Sequence, residues 1–178
     1  ISRGLVGSEM CIRDSWGATH QAGGFGQDAA HKDARSVDLT NVTGSQVWTQ
    51  ISQGNSHACG LTSDNKIYCW GSNDEGKLGN GNLVTSLIPV AVDVSGIGSS
   101  QLFSKVHVGS YHTCALATDN ILFCWGEGAD GKLGDGLNSD SNIPVAVDVS
   151  GLPVADRTFK DFHTSYYHTC AISMDAVS

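Results

Sequence analysis

The chain has 178 residues, 40% of them hydrophobic and 16% charged, with 22 glycines, three prolines and a formal net charge of -8. That supplies one ordinary core and too little charge for a disordered polymer. The acid excess, with no cluster of lysine or arginine to offset it, excludes a surface built for phosphate backbones or anionic membranes, and no apolar run approaches the roughly 18 residues that a bilayer span needs.

Residues 1–15, ISRGLVGSEMCIRDS, stand outside the periodicity that follows, and GSEMCIRDS looks like translated read-through of a sequencing-library adapter. They are read as an artefactual or disordered leader, with a natural N-terminal tail as the alternative. From Trp16 onward the chain copies itself. His57, Cys59, Cys69 and Trp70 return 55 positions later as His112, Cys114, Cys124 and Trp125, and His168 with Cys170 opens a third copy. GKLGNG (76–81) returns as GKLGDG (131–136), IPVAVDVSG stands unchanged at 88–96 and 143–151, and Trp16-Gly17 marks the first copy. Segments of about 16–69, 70–124 and 125–178 are taken as the repeats, since a fixed period of this size signals stacked supersecondary units.

Glycine-rich turns and scarce charge favour short strands. VWTQISQG (47–54) and LFSKVHVG (102–109) predict one strand per copy, and IPVAVDV predicts another. Between them HACGLTSDNKIYCWG (57–71) and HTCALATDNILFCWG (112–126) predict hairpins. If Ser63-Asp64-Asn65 is a three-residue loop ending in a left-handed Asn65, Thr62 closes against Lys66 and Cys59 falls opposite Cys69. Counting along the ladder makes that a non-hydrogen-bonded pair, where side chains lie closest, and Thr118-Asp119-Asn120 places Cys114 opposite Cys124 in the same way. Cross-strand disulfides are the favoured reading of both pairs. Reduced buried cysteines and zinc ligation stay open, although ten-residue spacing lacks the short knuckle of structural zinc sites. Cys170 would find its partner near position 180, and Cys11 belongs to the leader.

Alternation puts His57, Cys59, Leu61, Ile67 and Cys69 on one face and Ala58, Gly60, Tyr68 and Trp70 on the other, both largely apolar. A sheet covered on both sides must be sandwiched, and one such sheet per repeat gives a β-propeller. The fold class expected is all-β, a partial propeller of about three four-stranded antiparallel blades.

GSYHTCAL (109–116), followed by CWG and by NDEGKLG (73–79), resembles the regulator of chromosome condensation repeat, and the likeness extends over residues 16–178. The resemblance implies a seven-bladed ring of four-stranded blades, with repeats of about 50 to 60 residues, of which about three would be present here. It implies a structural part for Gly54, His57, Trp70, Gly71, Gly109, His112, Trp125, Gly126 and His168. Ser165 departs from the glycine of the other copies, and GGFGQDA (23–29) departs from GKLG.

A cysteine–histidine nucleophile at 57/59, 112/114 or 168/170 would have to occur once per blade, so histidines bonded between blades are the simpler reading. His20, His31, His107 and His163 form no ligand spacing, and the acidic loops at 73–81, 129–136 and 137–142 lack a full calcium pattern. No metal, cofactor or catalytic residue is assigned. Disulfides in each repeat imply an oxidising compartment, hence an exported or cell-surface protein with any signal peptide upstream; reduced cysteines would imply the cytoplasm. Asn41-Val42-Thr43 is a lone glycosylation sequon.

The function expected is a non-enzymatic binding module whose loops meet a protein partner. Nucleic acid and membrane insertion are excluded as partners. The alternatives are a guanine-nucleotide exchange regulator of a small GTPase, which the resemblance offers; a propeller hydrolase or lyase with its site in other blades; and a structural spacer.

Overall fold

The structure is a computed structural model and describes residues 14–17, 31–36, 41–42, 47–98 and 101–174. Most of the leader, GGFGQDA and part of the Asn41 sequon lie outside them. The described strands are β1 (Asp14–Gly17), β2 (His31–Ser36), β3 (Trp48–Gln53), β4 (His57–Thr62), β5 (Ile67–Gly71) and β6 (Ser86–Ala91), then β7 (Phe103–Val108), β8 (His112–Ala117), β9 (Leu122–Gly126), β10 (Ser141–Ala146), β11 (Phe159–Thr164) and β12 (Thr169–Ser173). Two 3-10 turns, Ala129–Gly131 and Val154–Asp156, are the only helical elements among the described residues. The all-β reading of the sequence is what the chain adopts.

Strands β3 to β6 form one four-stranded sheet and β7 to β10 another, each in sequential order, with β1–β2 and β11–β12 as two-stranded pairs. Every pairing is antiparallel. The first sheet takes β3 and β4 from the segment starting at Trp16 and β6 from the next, so sheets and sequence segments are out of phase. Pro89 and Pro144 are confined to the last strands, where a missing donor interrupts no ladder on the outer side.

The central hairpins follow the count made from the loop. Asn65 and Asn120 are left-handed, with φ of 63° and 68°. Thr62 N–H donates to the Lys66 carbonyl at 2.9 Å, and Ala117 N–H to that of Ile121 at 2.9 Å. Cys59 then faces Cys69 and Cys114 faces Cys124, with Cα atoms 4.0 and 4.1 Å apart, and both pairs are joined as disulfides. Cys170 is free and exposed. The first strand of each unit also slips by one residue at the same place, between Trp48 and Gln50, Phe103 and Lys105, and Phe159 and Asp161. A bulge there adds local twist to the strand that leads each sheet.

β4, β5, β8 and β9 are buried along their whole length. Cys59, Leu61, Ile67 and Cys69 meet Phe103, Val106, Phe123 and Trp125 of the next sheet, while Ala58, Tyr68 and Trp70 gather around Trp48 on the opposite face. The second interface repeats the first, with Cys114, Leu116, Leu122 and Cys124 against Phe159 and Phe162. Contact between successive sheets is concentrated on their first strands, β7 against β3 and β4, and β11 against β7 and β8. Sheets that converge on their leading strands fan out like blades, the propeller arrangement.

Replacing both Cys59 and Cys69 with serine should lower the free energy of unfolding by about 2 to 4 kcal/mol, by freeing the unfolded chain. A denaturant titration measures the loss, and peptide mapping without reductant should recover the Cys59–Cys69 and Cys114–Cys124 links.

Candidate functional site: a tyrosine cluster at the sheet turns

The turns from β3 to β4, β7 to β8 and β11 to β12 stack on one another. A Cβ at Gly54 would lie 2.0 Å from the Gly109 carbonyl oxygen, and one at Gly109 would lie 2.7 Å from that of Ser165. Glycine is required where the next turn's backbone presses against it. Ser165 keeps a side chain at the position after which no further turn follows among the described residues.

Just inside these turns lies a buried polar relay. His57 Nε2 is 2.7 Å from Thr113 Oγ1, and that hydroxyl donates to the Lys77 carbonyl at 3.0 Å. With its one proton so committed, the threonine must accept from His57, which fixes the imidazole as the neutral Nε2–H form. His112 repeats the contact with Thr169 Oγ1 at 3.0 Å. Burial, helped by the nearby Lys77 and His112, lowers the His57 pKa to about 3; burial and then Lys132 lower that of His112 to about 4. Cys59 and Cys114 are tied in disulfides, so neither offers a thiol nucleophile beside its histidine. The relay holds one sheet to the next.

Outside the relay the copies diverge. Asn55-Ser56 of the first turn is replaced by Ser110-Tyr111 in the second and Tyr166-Tyr167 in the third. Tyr166 and Tyr167 are 49% and 52% exposed, and their rings lie 4.5 Å apart. Tyr111 meets Tyr166 edge-on at 5.8 Å and stacks on Tyr167 at 6.2 Å. Its phenol pKa is raised, first by the hydrogen bond to Tyr166. Lys132 Nζ approaches the Tyr167 ring at 5.8 Å while pairing with Glu127 at 3.1 Å and Asp130 at 3.5 Å. Burial alone would lower the Lys132 pKa, but its hydrogen bond to Glu127 and the two acid charges raise it on balance. The result is an exposed aromatic patch with an acidic rim. Sequence reading followed what the repeats share, and so passed over this cluster; the signal was the change of type at the two turn positions just before the histidine that recurs in all three copies.

The leading strands carry a second polar row. The Gln50 side-chain amide donates to the Val106 carbonyl at 2.8 Å and accepts from Val106 N–H at 3.0 Å, and Ser52 accepts from Val108 N–H at 2.9 Å. One sheet further on, Lys105 pairs with Asp161 at 2.8 Å and the rings of His107 and His163 lie 5.1 Å apart. Nothing in the spacing of these two histidines joins them, because they sit on strands of different sheets.

The profile of the Regulator of chromosome condensation (RCC1) repeat matches residues 64–116 and 119–172, and a second profile with the same description matches 48–77 and 103–132. The chain belongs to the RCC1 repeat family. It is 39% identical over 100 residues to the ultraviolet-B receptor UVR8 of Arabidopsis thaliana, a stretch covering 56% of this chain and 22% of that protein. It is 36% identical over 98 residues to the human E3 ubiquitin-protein ligase HERC2, covering 55% of this chain and 2% of that one. Among solved structures, human WBSCR16 superposes with a TM-score of 0.75 at 21% identity, over 94% of this chain and 42% of that chain. Prp20p of Saccharomyces cerevisiae gives 0.72 at 18% identity, over 92% and 40%. The chain therefore spans less than half the length of each of these proteins.

In this RCC1 repeat chain the GKLG loops serve packing. Lys77 is buried against Glu75, and its carbonyl accepts from both Thr113 and the Trp125 indole. Asn73 accepts from Leu78 N–H at 2.9 Å and donates to the Asn82 carbonyl at 2.9 Å, spanning its own loop. Among the described residues no group of three or more His, Cys, Asp or Glu side chains is placed to hold a metal ion.

The two relay histidines set a pH dependence. A pKa held below 6.5 in the folded state means stability that is present above pH 6.5 and is lost as pH falls toward 4 and 3. By pH 4 the loss should reach on the order of 3 kcal/mol for each histidine. Urea midpoints measured from pH 7 to pH 4 should fall, and the slope should flatten in the His57→Gln and His112→Gln variants.

Proposed function

We propose that this chain is a non-enzymatic binding module, a propeller scaffold that presents the Tyr111, Tyr166 and Tyr167 patch to a protein with a basic surface. The single observation that carries the reading is a cluster of three mutually packed tyrosines, with Tyr166 and Tyr167 exposed and Tyr111 half-buried, at turn positions where the copies differ in sequence. Tyrosines supply large contact area at low entropic cost and are enriched at interfaces. Glu127 and Asp130 beside them, on a chain of net charge -8, favour arginine or lysine on the partner, with guanidinium stacking on phenol rings. A protein partner is in keeping with the fold neighbour Prp20p, whose structure was described together with its binding to Gsp1p and histones. The paired cysteines support an exported or cell-surface setting for this interaction, since thiols in a reducing cytoplasm stay unpaired.

The test is affinity capture from the secreted and surface fraction of the source cells, comparing the wild-type chain with the Tyr111→Ala/Tyr166→Ala variant. A basic protein should be retained by the first and lost at least tenfold by the second, with retention weakening as salt rises. Equal capture by both chains would remove the patch from the interaction.

A further inference from the structure

The leading strands β3, β7 and β11 stand in equivalent registers: Ser52, His107 and His163 lie opposite Cys59, Cys114 and Cys170, and Gln50, Lys105 and Asp161 lie opposite Leu61, Leu116 and Ile172. The two positions are two residues apart and so share one face of each strand. Their residue types do not repeat. Between β3 and β7 the row is spent on structure, since Gln50 and Ser52 bond to the backbone of Val106 and Val108. Between β7 and β11 side chains meet side chains instead: Lys105 pairs with Asp161, and the rings of His107 and His163 lie 5.1 Å apart with their planes at 69°.

Packing accounts for part of this contact, because His107 also meets the Phe162 ring edge-on at 5.1 Å. It leaves the ring nitrogens without a task. His57 and His112 each commit a nitrogen to a threonine of the next sheet, whereas no hydrogen bond ties the imidazole of His107 or His163 to another described residue. His163 is exposed and His107 half-buried, so small solutes can reach the pair. Burial, and then the neighbouring His163, hold the His107 pKa below its ordinary value, which keeps that ring neutral at pH 7. Neutral imidazole is a metal ligand. Two imidazoles on one ion, each nitrogen about 2.0 to 2.1 Å from it at a tetrahedral angle, have ring centres about 5 Å apart. The separation across β7 and β11 meets that requirement.

We propose that His107 and His163 form a two-imidazole site for a divalent first-row transition ion of the zinc or copper type, which clamps β7 to β11. Imidazole nitrogen suits these ions, whereas calcium and magnesium call for oxygen. The chain supplies two ligands and water completes the sphere, in keeping with the absence, among the described residues, of any group of three or more candidate side chains. Lys105 and Asp161 neutralise each other beside the site and stay outside the ligand set. Neither histidine belongs to the tyrosine patch, so this inference and the binding reading fail separately.

The probe is zinc chloride, titrated calorimetrically into the full chain carrying Cys11→Ser and Cys170→Ser, which removes thiols that would compete. Saturable binding of one ion per chain is expected, weakened at least tenfold by either His107→Gln or His163→Gln with an unchanged circular dichroism spectrum. His168→Gln, at an exposed imidazole outside the pair, and Tyr166→Ala should keep it. Zinc should raise the melting midpoint of the parent chain and leave that of each paired-histidine variant where it was, because an ion held from both strands favours the folded state. No saturation at concentrations on the order of 1 mM, or equal binding by the His107→Gln/His163→Gln double variant, overturns the proposal.

Discussion

The central hairpins of the two four-stranded sheets are buried on both faces, and that constraint governs the rest. A sheet with one oily face can stand with water behind it, but one whose central hairpin is buried from end to end needs a neighbour on either side. Repetition solves the problem by making every sheet its neighbour's cover. Several of the polar groups that this stacking removes from water are met across the same interface, His57 Nε2 by Thr113, Thr113 by Lys77 and the Trp125 indole by that same carbonyl, while Nδ1 of His57 and of His112 is buried without a hydrogen-bond partner. A buried hydroxyl or imidazole left unmatched would cost more than the bond itself contributes. The relay therefore serves less to strengthen the stack than to fix how one sheet sits against the next.

Much of this was legible in the sequence because the repeat states it more than once. The hairpin register followed from a loop of three residues, and the left-handed Asn65 and Asn120 confirm the turn that placed Cys59 beside Cys69. Alternation also assigns the faces, since Cys59, Leu61, Ile67 and Cys69 of one face join Phe103 and Trp125 while Ala58, Tyr68 and Trp70 of the other join Trp48. What periodicity cannot convey is which parts of different sheets converge. The His107–His163 contact joins strands from successive units, and the bulges in the leading strands carry no marker residue.

The tyrosine patch was missed for a related reason. Agreement among copies reports packing, because every sheet must meet its neighbour in the same way. A partner has no such obligation, so recognition is to be sought where the copies disagree while the residues around them do not. Gly109, Tyr111 and His112 illustrate the division within four positions: the glycine admits the next turn, the histidine bonds to the next sheet, and the half-buried tyrosine packs against the exposed Tyr166 and Tyr167.

The cysteines belong to packing and to redox chemistry at once, and the two parts can be separated. Cys59, Cys69, Cys114 and Cys124 are completely or almost completely removed from solvent, within clusters of leucine, valine and phenylalanine. Free cysteine behaves there as a small apolar side chain, so the sheets lose little packing when the sulfurs are reduced. The register that brings each pair together is set by the loop and by the strands on either side, not by the sulfur bond. Oxidation therefore acts on the unfolded chain, which it shortens, far more than on the folded one. The bond adds a margin of stability to an arrangement whose register is set by the loop and the ladder.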